Sequence, residues 1–201
     1  QGSMPVVGPV YSNANSHQFI SRLDNQLTNL NLSTVVGSSQ ASIDISPSAF
    51  SVDNCGNIYI AGWGGNITNT LQLSGMPTTT NALYTTAPNG YDFYLMALSP
   101  NLSGLLYGTY FGGGLSREHV DGGTSRFDKK GIVYQAVCAG CGGNDDFPVT
   151  PGSWPNAGAN VNHNTQTFNC NQGFFNFSFQ STGFTATVVP ARISTCYFVT
   201  P

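Results

Sequence analysis

Side chains able to carry chemistry are few in this 201-residue chain, and they fall into a handful of groups. The densest is Glu118-His119-Val120-Asp121, with three metal-capable residues in four. On a strand Glu118 and His119 face opposite ways, so the three converge only in a loop. Zinc would ask for three or four nitrogen or sulfur ligands, which this run does not offer. Calcium asks for carboxylate and carbonyl oxygens, and Asp145-Asp146, in a Gly- and Asn-rich loop before Phe147-Pro148, has that composition. A plainer reading stands against both: solvated or backbone-capping aspartates, Glu118 beside Arg117 or Arg126, and His119 packed within a sheet. No cofactor is expected, calcium being the one ion these residues would admit.

Acid–base catalysis finds less support. A glycosidase needs two facing carboxyl groups, one of them held protonated. Of nine acids only Glu118 is a glutamate. Asp53 and Asp128 fall in turns, Asp24 follows a strand and Asp92 begins one. Asp44, Glu118, Asp121, Asp145 and Asp146 remain, and spacing pairs only the adjacent last two, so no catalytic residue is expected. The five cysteines are Cys55, Cys138, Cys141, Cys170 and Cys196. Cys138-Ala-Gly-Cys141 is a C-x-x-C with no second such pair to complete a zinc ribbon. It also lacks the strand-to-helix setting of a thioredoxin-type redox site. Trp63, Tyr107, Tyr110, Phe111, Tyr134 and Trp154 would make a sugar platform if exposed, but such residues more often fill the space between sheets.

The chain around these groups has an unusual balance. Charged residues make up 7 % of it, apolar ones 40 %, and the net charge is 6 − 9 = −3, against roughly 25 % charged in an ordinary domain. Disorder driven by charge is thereby excluded. Six scattered cations form no phosphate-tracking stripe, which argues against nucleic acid as a partner. The longest apolar run, Phe93 to Leu98, falls far short of the ~20 residues that span a bilayer, so no membrane insertion is expected. Nothing at the start reads as a signal peptide, the first cation being Arg22.

Abundant Gly, Asn, Ser and Thr suit many short turns, hence many short strands. Strands are predicted at 18–23, 58–61, 92–98, 106–111, 131–137 and 174–179, each aromatic or β-branched and bounded by turn formers. No helix is predicted. Ile58 and Ile60 alternate with Tyr59 and Ala61, so this strand is apolar on both faces and should be covered on both by other sheets.

An internal repeat organises these strands. Met4-Pro5 recurs as Met76-Pro77 and again as Phe147-Pro148. Thr34-Val35-Val36-Gly37 matches Thr109-Tyr110-Phe111-Gly112, and Asp53-x-x-Gly56 matches Asp128-x-x-Gly131, both at a shift of 75. Each Asp-x-x-Gly should be a hairpin turn, with Asp capping and Gly at positive φ. The units are 1–75, 76–146 and a partial 147–180, followed by 181–201 as a linker or the start of another segment. Each unit is expected to form one antiparallel sheet that must stack on its neighbours.

The runs Leu106 to Gly114, Val120 to Gly123, Phe127 to Tyr134 and Asp146 to Trp154 resemble the SBBP repeats of bacterial β-propellers. Val52 to Gly65 and Glu118 to Gly131 are similar to stretches of large secreted Bacteroidota proteins, a kind that often carries a gliding-motility-type sorting domain read by type IX secretion. The resemblance implies an all-β chain of propeller-like blades, about two and a half repeats, too few to close a ring. It further implies an extracellular, cell-surface location. In an exported protein the cysteines read as structural disulfides. The candidates are Cys55, Cys138, Cys141 and Cys170, with Cys138 or Cys141 joined to Cys170 the pairing favoured by their flanking the third unit. The expected function is a non-catalytic scaffold or adhesion segment, partnered by other blades of its parent or by neighbouring surface proteins. The alternatives are a carbohydrate-binding or polysaccharide-acting module, and a protein-binding segment of the secretion or gliding machinery that offers an open sheet edge.

Overall fold

A computed structural model describes residues 4–40, 42–65, 72–120, 125–140, 144, 146–150 and 172–179. Among them are ten strands: β1 (Gln18–Leu23), β2 (Leu30–Val36), β3 (Ser46–Val52), β4 (Ile58–Trp63), β5 (Phe93–Leu98), β6 (Leu105–Phe111), β7 (Glu118–His119), β8 (Arg126–Phe127), β9 (Ile132–Ala139) and β10 (Gln172–Ser178). The described residues contain no helix, and every strand pairing is antiparallel. The fold is all-β.

The strands form three sheets. The first is the hairpin β1-β2; the second is a four-stranded meander, β3-β4-β5-β6; in the third, β9 lies between β10 on one side and β7 and β8 on the other. Six of these strands coincide with those read from sequence. The other four, β2, β3, β7 and β8, escaped that reading. Strand β3 begins Ser-Pro-Ser, and an internal proline argues against a central strand; here β3 is an edge, where a missing N–H costs nothing. Strands β7 and β8 are two residues each, too short for any periodicity.

Sheet and repeat are phased differently. The second sheet spans residues 46–111, so it takes two strands from each side of residue 75. Strands β1 and β2 are therefore the counterparts of β5 and β6, and β4 is the counterpart of β9.

The second sheet is buried on both faces, and every residue of β4 and β5 is buried. Ile58, Ile60, Tyr94, Met96, Leu98 and Tyr110 join one cluster with Ile20 and Val36 of the first sheet. Tyr59, Ala61, Trp63, Phe93, Leu95 and Phe111 join another with Val133, Val137, Phe175 and Phe177 of the third. The alternation seen in the sequence is thus resolved into two separate interfaces. Aromatic rings lock the second interface: Phe175 lies 5.3 Å from Phe93 and 4.8 Å from Phe111, centroid to centroid. Ser48 Oγ adds a polar tie by donating to Gln135 Oε1 at 3.1 Å.

Both expected Asp-x-x-Gly turns form, and they match. Asp53 Oδ1 accepts the N–H groups of Cys55 and Asn57 at 2.8 and 2.9 Å. Asp128 Oδ1 accepts those of Lys130 and Ile132 at 2.8 and 3.0 Å. The glycines take φ of +83° and +77°, the left-handed region that a side chain disfavours.

Candidate functional site

The densest chemistry lies where the second sheet meets the loop leading into the third. Asp92 stands just before β5. Its Oδ2 accepts the N–H groups of Gly90 at 2.8 Å and Asn89 at 3.2 Å. Its backbone carbonyl accepts Gly64 N–H at 3.1 Å, so both side chain and main chain are fixed. Glu118 opens β7, where it faces Ala139 of β9, and its N–H donates to the Tyr91 carbonyl at 2.8 Å. Glu118 Oε1 accepts from Ser116 Oγ and, at 3.3 Å, from Gly113 N–H.

The second oxygen of each acid has no such partner. Asp92 Oδ1 and Glu118 Oε2 are buried, and the one donor within reach of them is the carboxyl proton that the two acids share in a side-chain hydrogen bond. Both lie against the Cα of Gly112. A Cβ built there would overlap Asp92 Oδ1 and would sit 2.7 Å from Glu118 Oε2, so glycine is required at 112 for space rather than for backbone freedom.

Electrostatics follow from this burial. Glu118 is pushed up to about 8, first by loss of water, then by the charge of Asp92; Ser116 and Gly113 offset part of the rise. Asp92 is pushed up to about 6 by burial, against the pull of the Asn89 and Gly90 amides. Two like charges so placed cannot both persist near neutral pH without a compensating positive charge.

Asp146 completes the surroundings in another role. Its Oδ2 and Oδ1 accept the N–H groups of Leu115 and Ser116, each at 2.7 Å. These bonds hold its carboxyl below the ordinary range although burial opposes them. Asp146 thereby fixes the loop from which Ser116 reaches Glu118.

Of the residues singled out by sequence, the structure brings Glu118 and Asp146 into one neighbourhood and sends His119 elsewhere. His119 packs 5.5 Å from the Trp63 ring, on the opposite side of β7 from Glu118. Arg117 does not cover Glu118: its guanidinium lies 4.3 Å over the Tyr91 ring. Asp121, Asp145, Cys141, Cys170 and Trp154 lie outside the described residues. Among the described residues no three acid, histidine or cysteine side chains are grouped as a metal site.

The cysteine expectation needs one correction. Cys138 is a buried thiol and not half of a disulfide; it sits on β9 within the pairing to β7 and β10. No disulfide joins two described residues.

Asp92 was the residue that sequence reasoning set aside. A signal for it exists in the repeat. A Cβ built on Gly37, the counterpart of Gly112, would overlap Asp44 Oδ2 and sit 3.0 Å from Ser16 Oγ. Around Gly37 the places of Glu118 and Asp92 are thus taken by Asp44 and Ser16 in space, although the shift of 75 sets Ile43 and His17 against them in sequence. In this earlier copy the single acid is satisfied: Ser38 N–H donates to Asp44 Oδ2 at 3.0 Å and Ser38 Oγ to Asp44 Oδ1.

Aromatic residues divide as well. Trp63, Tyr107, Tyr110 and Phe111 are core residues. Tyr134 and Phe174 share the outer face of the third sheet and are 44 % and 76 % exposed. The chain matches no family model, no curated protein and no solved structure.

Proposed function

We propose that this chain is a non-catalytic scaffold segment of an extracellular bacterial surface protein, built of propeller-type blades that continue onto further blades of the same parent. The observation that carries the reading is the outer face of the third sheet. By the shift of 75, Tyr134 and Ala136 are the counterparts of Tyr59 and Ala61, which the third sheet itself covers. The third sheet therefore presents outward the same face that the second sheet uses to bind its neighbour. A repeating stack leaves such a face for its next member. The cell-surface location rests on the SBBP resemblance, and a gliding or type IX-secreted parent rests on it too.

The exposed pair Tyr134 and Phe174 also favours a second reading, in which this face is an aromatic platform for glycans. A glycan array and a polysaccharide hydrolase screen on the chain separate the two. Scaffold function is expected to give neither binding nor turnover. Turnover lost on changing Glu118, Asp145 or Asp146 would overturn it, and glycan binding lost in Tyr134→Ala and Phe174→Ala would favour the platform.

A further inference from the structure

We propose that the outer edge of β1 is a docking site for a β-hairpin with the chemistry of β3-β4, seated so that it extends the first sheet to four strands. The inference rests on the reading of the chain as stacked sheets, and it starts from the repeat. By the shift of 75, β1 and β2 are the counterparts of β5 and β6. Strand β5 carries β4 along its other edge, from Trp63 opposite Phe93 to Ile58 opposite Leu98, and β3 lies outside β4. Among the described residues β1 pairs with β2 and with no other strand. Its outward main-chain groups are those of an edge strand, which readily accepts another.

A second observation lies on the sheet beneath that edge. Phe50 and Val52 of β3 stand opposite Ile60 and Ile58 of β4, so they share the face that the second sheet turns toward the first. Ile58 and Ile60 are buried there, yet Phe50 is 60 % exposed and Val52 52 %. The other interface shows what meets such positions. Phe127 of β8, the counterpart of Val52, packs on Tyr59 with ring centroids 5.7 Å apart. Gln135 of β9, the counterpart of Ile60, accepts from Ser48 of β3. Strands β8 and β9 thus lie against β3 and β4, whereas the second sheet has only the hairpin β1-β2 opposite its other face. The apolar part of that face still exposed is the part that a pair equivalent to β3 and β4 would cover.

The same comparison sets the chemistry of the partner. In β4 the side chains turned to the following sheet are Tyr59, Ala61 and Trp63, aromatic, small and aromatic at alternate positions. A strand seated on β1 needs that alternation toward Phe50 and Val52, and runs antiparallel to β1 over six residues as β4 does to β5. Main-chain bonds to the edge supply affinity, and the alternate side chains supply selectivity. A charged segment does not fit, because its charges would be desolvated against Phe50 and Val52. A proline-rich one would forfeit bonds of the ladder.

The test is titration of the 201-residue chain with a synthetic peptide of residues 46–63 carrying Cys55→Ser, followed by amide hydrogen exchange and by hydroxyl-radical footprinting at Phe50. Expected are saturable binding of one peptide per chain, slower exchange of the amides of 18–23, and oxidation of Phe50 slowed several-fold. Affinity should fall at least about tenfold when Phe50→Asp and Val52→Asp are combined, both being exposed positions that the fold tolerates. Phe174→Asp, on the outer face of the third sheet, is expected to bind the peptide as the unaltered chain does. No saturation at millimolar peptide would overturn the proposal. So would binding that leaves the 18–23 amides as fast as before, or binding unchanged in the double variant. None of these results touches the stacked-sheet reading, which fails instead if Tyr134 and Phe174 are oxidised equally in this chain and in its full-length parent.

Discussion

Tyr59 and Tyr134 hold equivalent places 75 residues apart in consecutive sheets, yet Tyr59 is 3 % exposed and Tyr134 is 44 % exposed. What differs is the neighbour. Phe127 and Phe179 pack on Tyr59 with ring centroids 5.7 and 5.2 Å away. Each tyrosine also reaches back to the aspartate of its own turn, at 2.9 Å for Tyr59 and Asp53 and 3.5 Å for Tyr134 and Asp128. The shorter bond belongs to the covered member.

The interface between the second and third sheets should fail first when its central ring is removed. Phe175 contacts Phe93, Phe111 and Phe147. Phe175→Ala is expected to lower unfolding free energy by about 3–5 kcal/mol in denaturant titration, the usual cost of emptying a buried phenylalanine site. Phe174→Ala, one residue away on the outer face, should cost less than about 0.5 kcal/mol.

The turns offer a matched pair. Leu27 and Leu102 are counterparts, and both take φ of +60°. A branched side chain there costs about 1–2 kcal/mol. Leu27 is exposed, whereas Leu102 is buried in the cluster between the first two sheets. Leu27→Gly should therefore stabilise by about 1 kcal/mol, and Leu102→Gly should destabilise by about 2 kcal/mol, because the lost burial exceeds the relieved strain. Equal effects at the two sites in chemical denaturation would refute the assignment.

Acidity should affect stability in a sense opposite to that of most proteins. Both Asp92 and Glu118 have raised values in the fold, about 6 and about 8, from 3.8 and 4.5. Between about pH 4 and pH 8 the folded chain then holds protons that the unfolded chain has released. Stability is greatest at the acid end of that window and falls as pH rises to about 8. Asp24 and Asp146, whose values are lowered, act only in the more acid range and oppose unfolding above it. Melting temperatures measured at pH 5 and pH 8 check this. Glu118→Gln should flatten the difference, and a parent chain more stable at pH 8 than at pH 5 would contradict it.

Much of the fold was legible because the repeat and the two-sided apolar strands are strong signals. Ile58-Tyr59-Ile60-Ala61 announced two interfaces, and Asp53 and Asp128 announced two identical turns. Strand β3 was not legible because Pro47 masks an edge strand that needs no ladder bond at that position. The site was half legible. Glu118 and Asp146 stood out by type, but Asp92 looked like an ordinary strand start, and its meeting with Glu118 depends on tertiary approach around Gly112. Cys138 misled, since a C-x-x-C spacing says nothing of which thiols face each other across sheets.

On the proposed reading, the outer face of the third sheet is covered by a further sheet of a longer parent chain. Hydroxyl-radical footprinting read by mass spectrometry, at Tyr134 and Phe174, compares this chain with its full-length parent. Oxidation of both residues several-fold slower in the parent, with Phe19 of the first sheet followed alongside, is the expected result. Equal rates for Tyr134 and Phe174 in the two proteins would contradict the account.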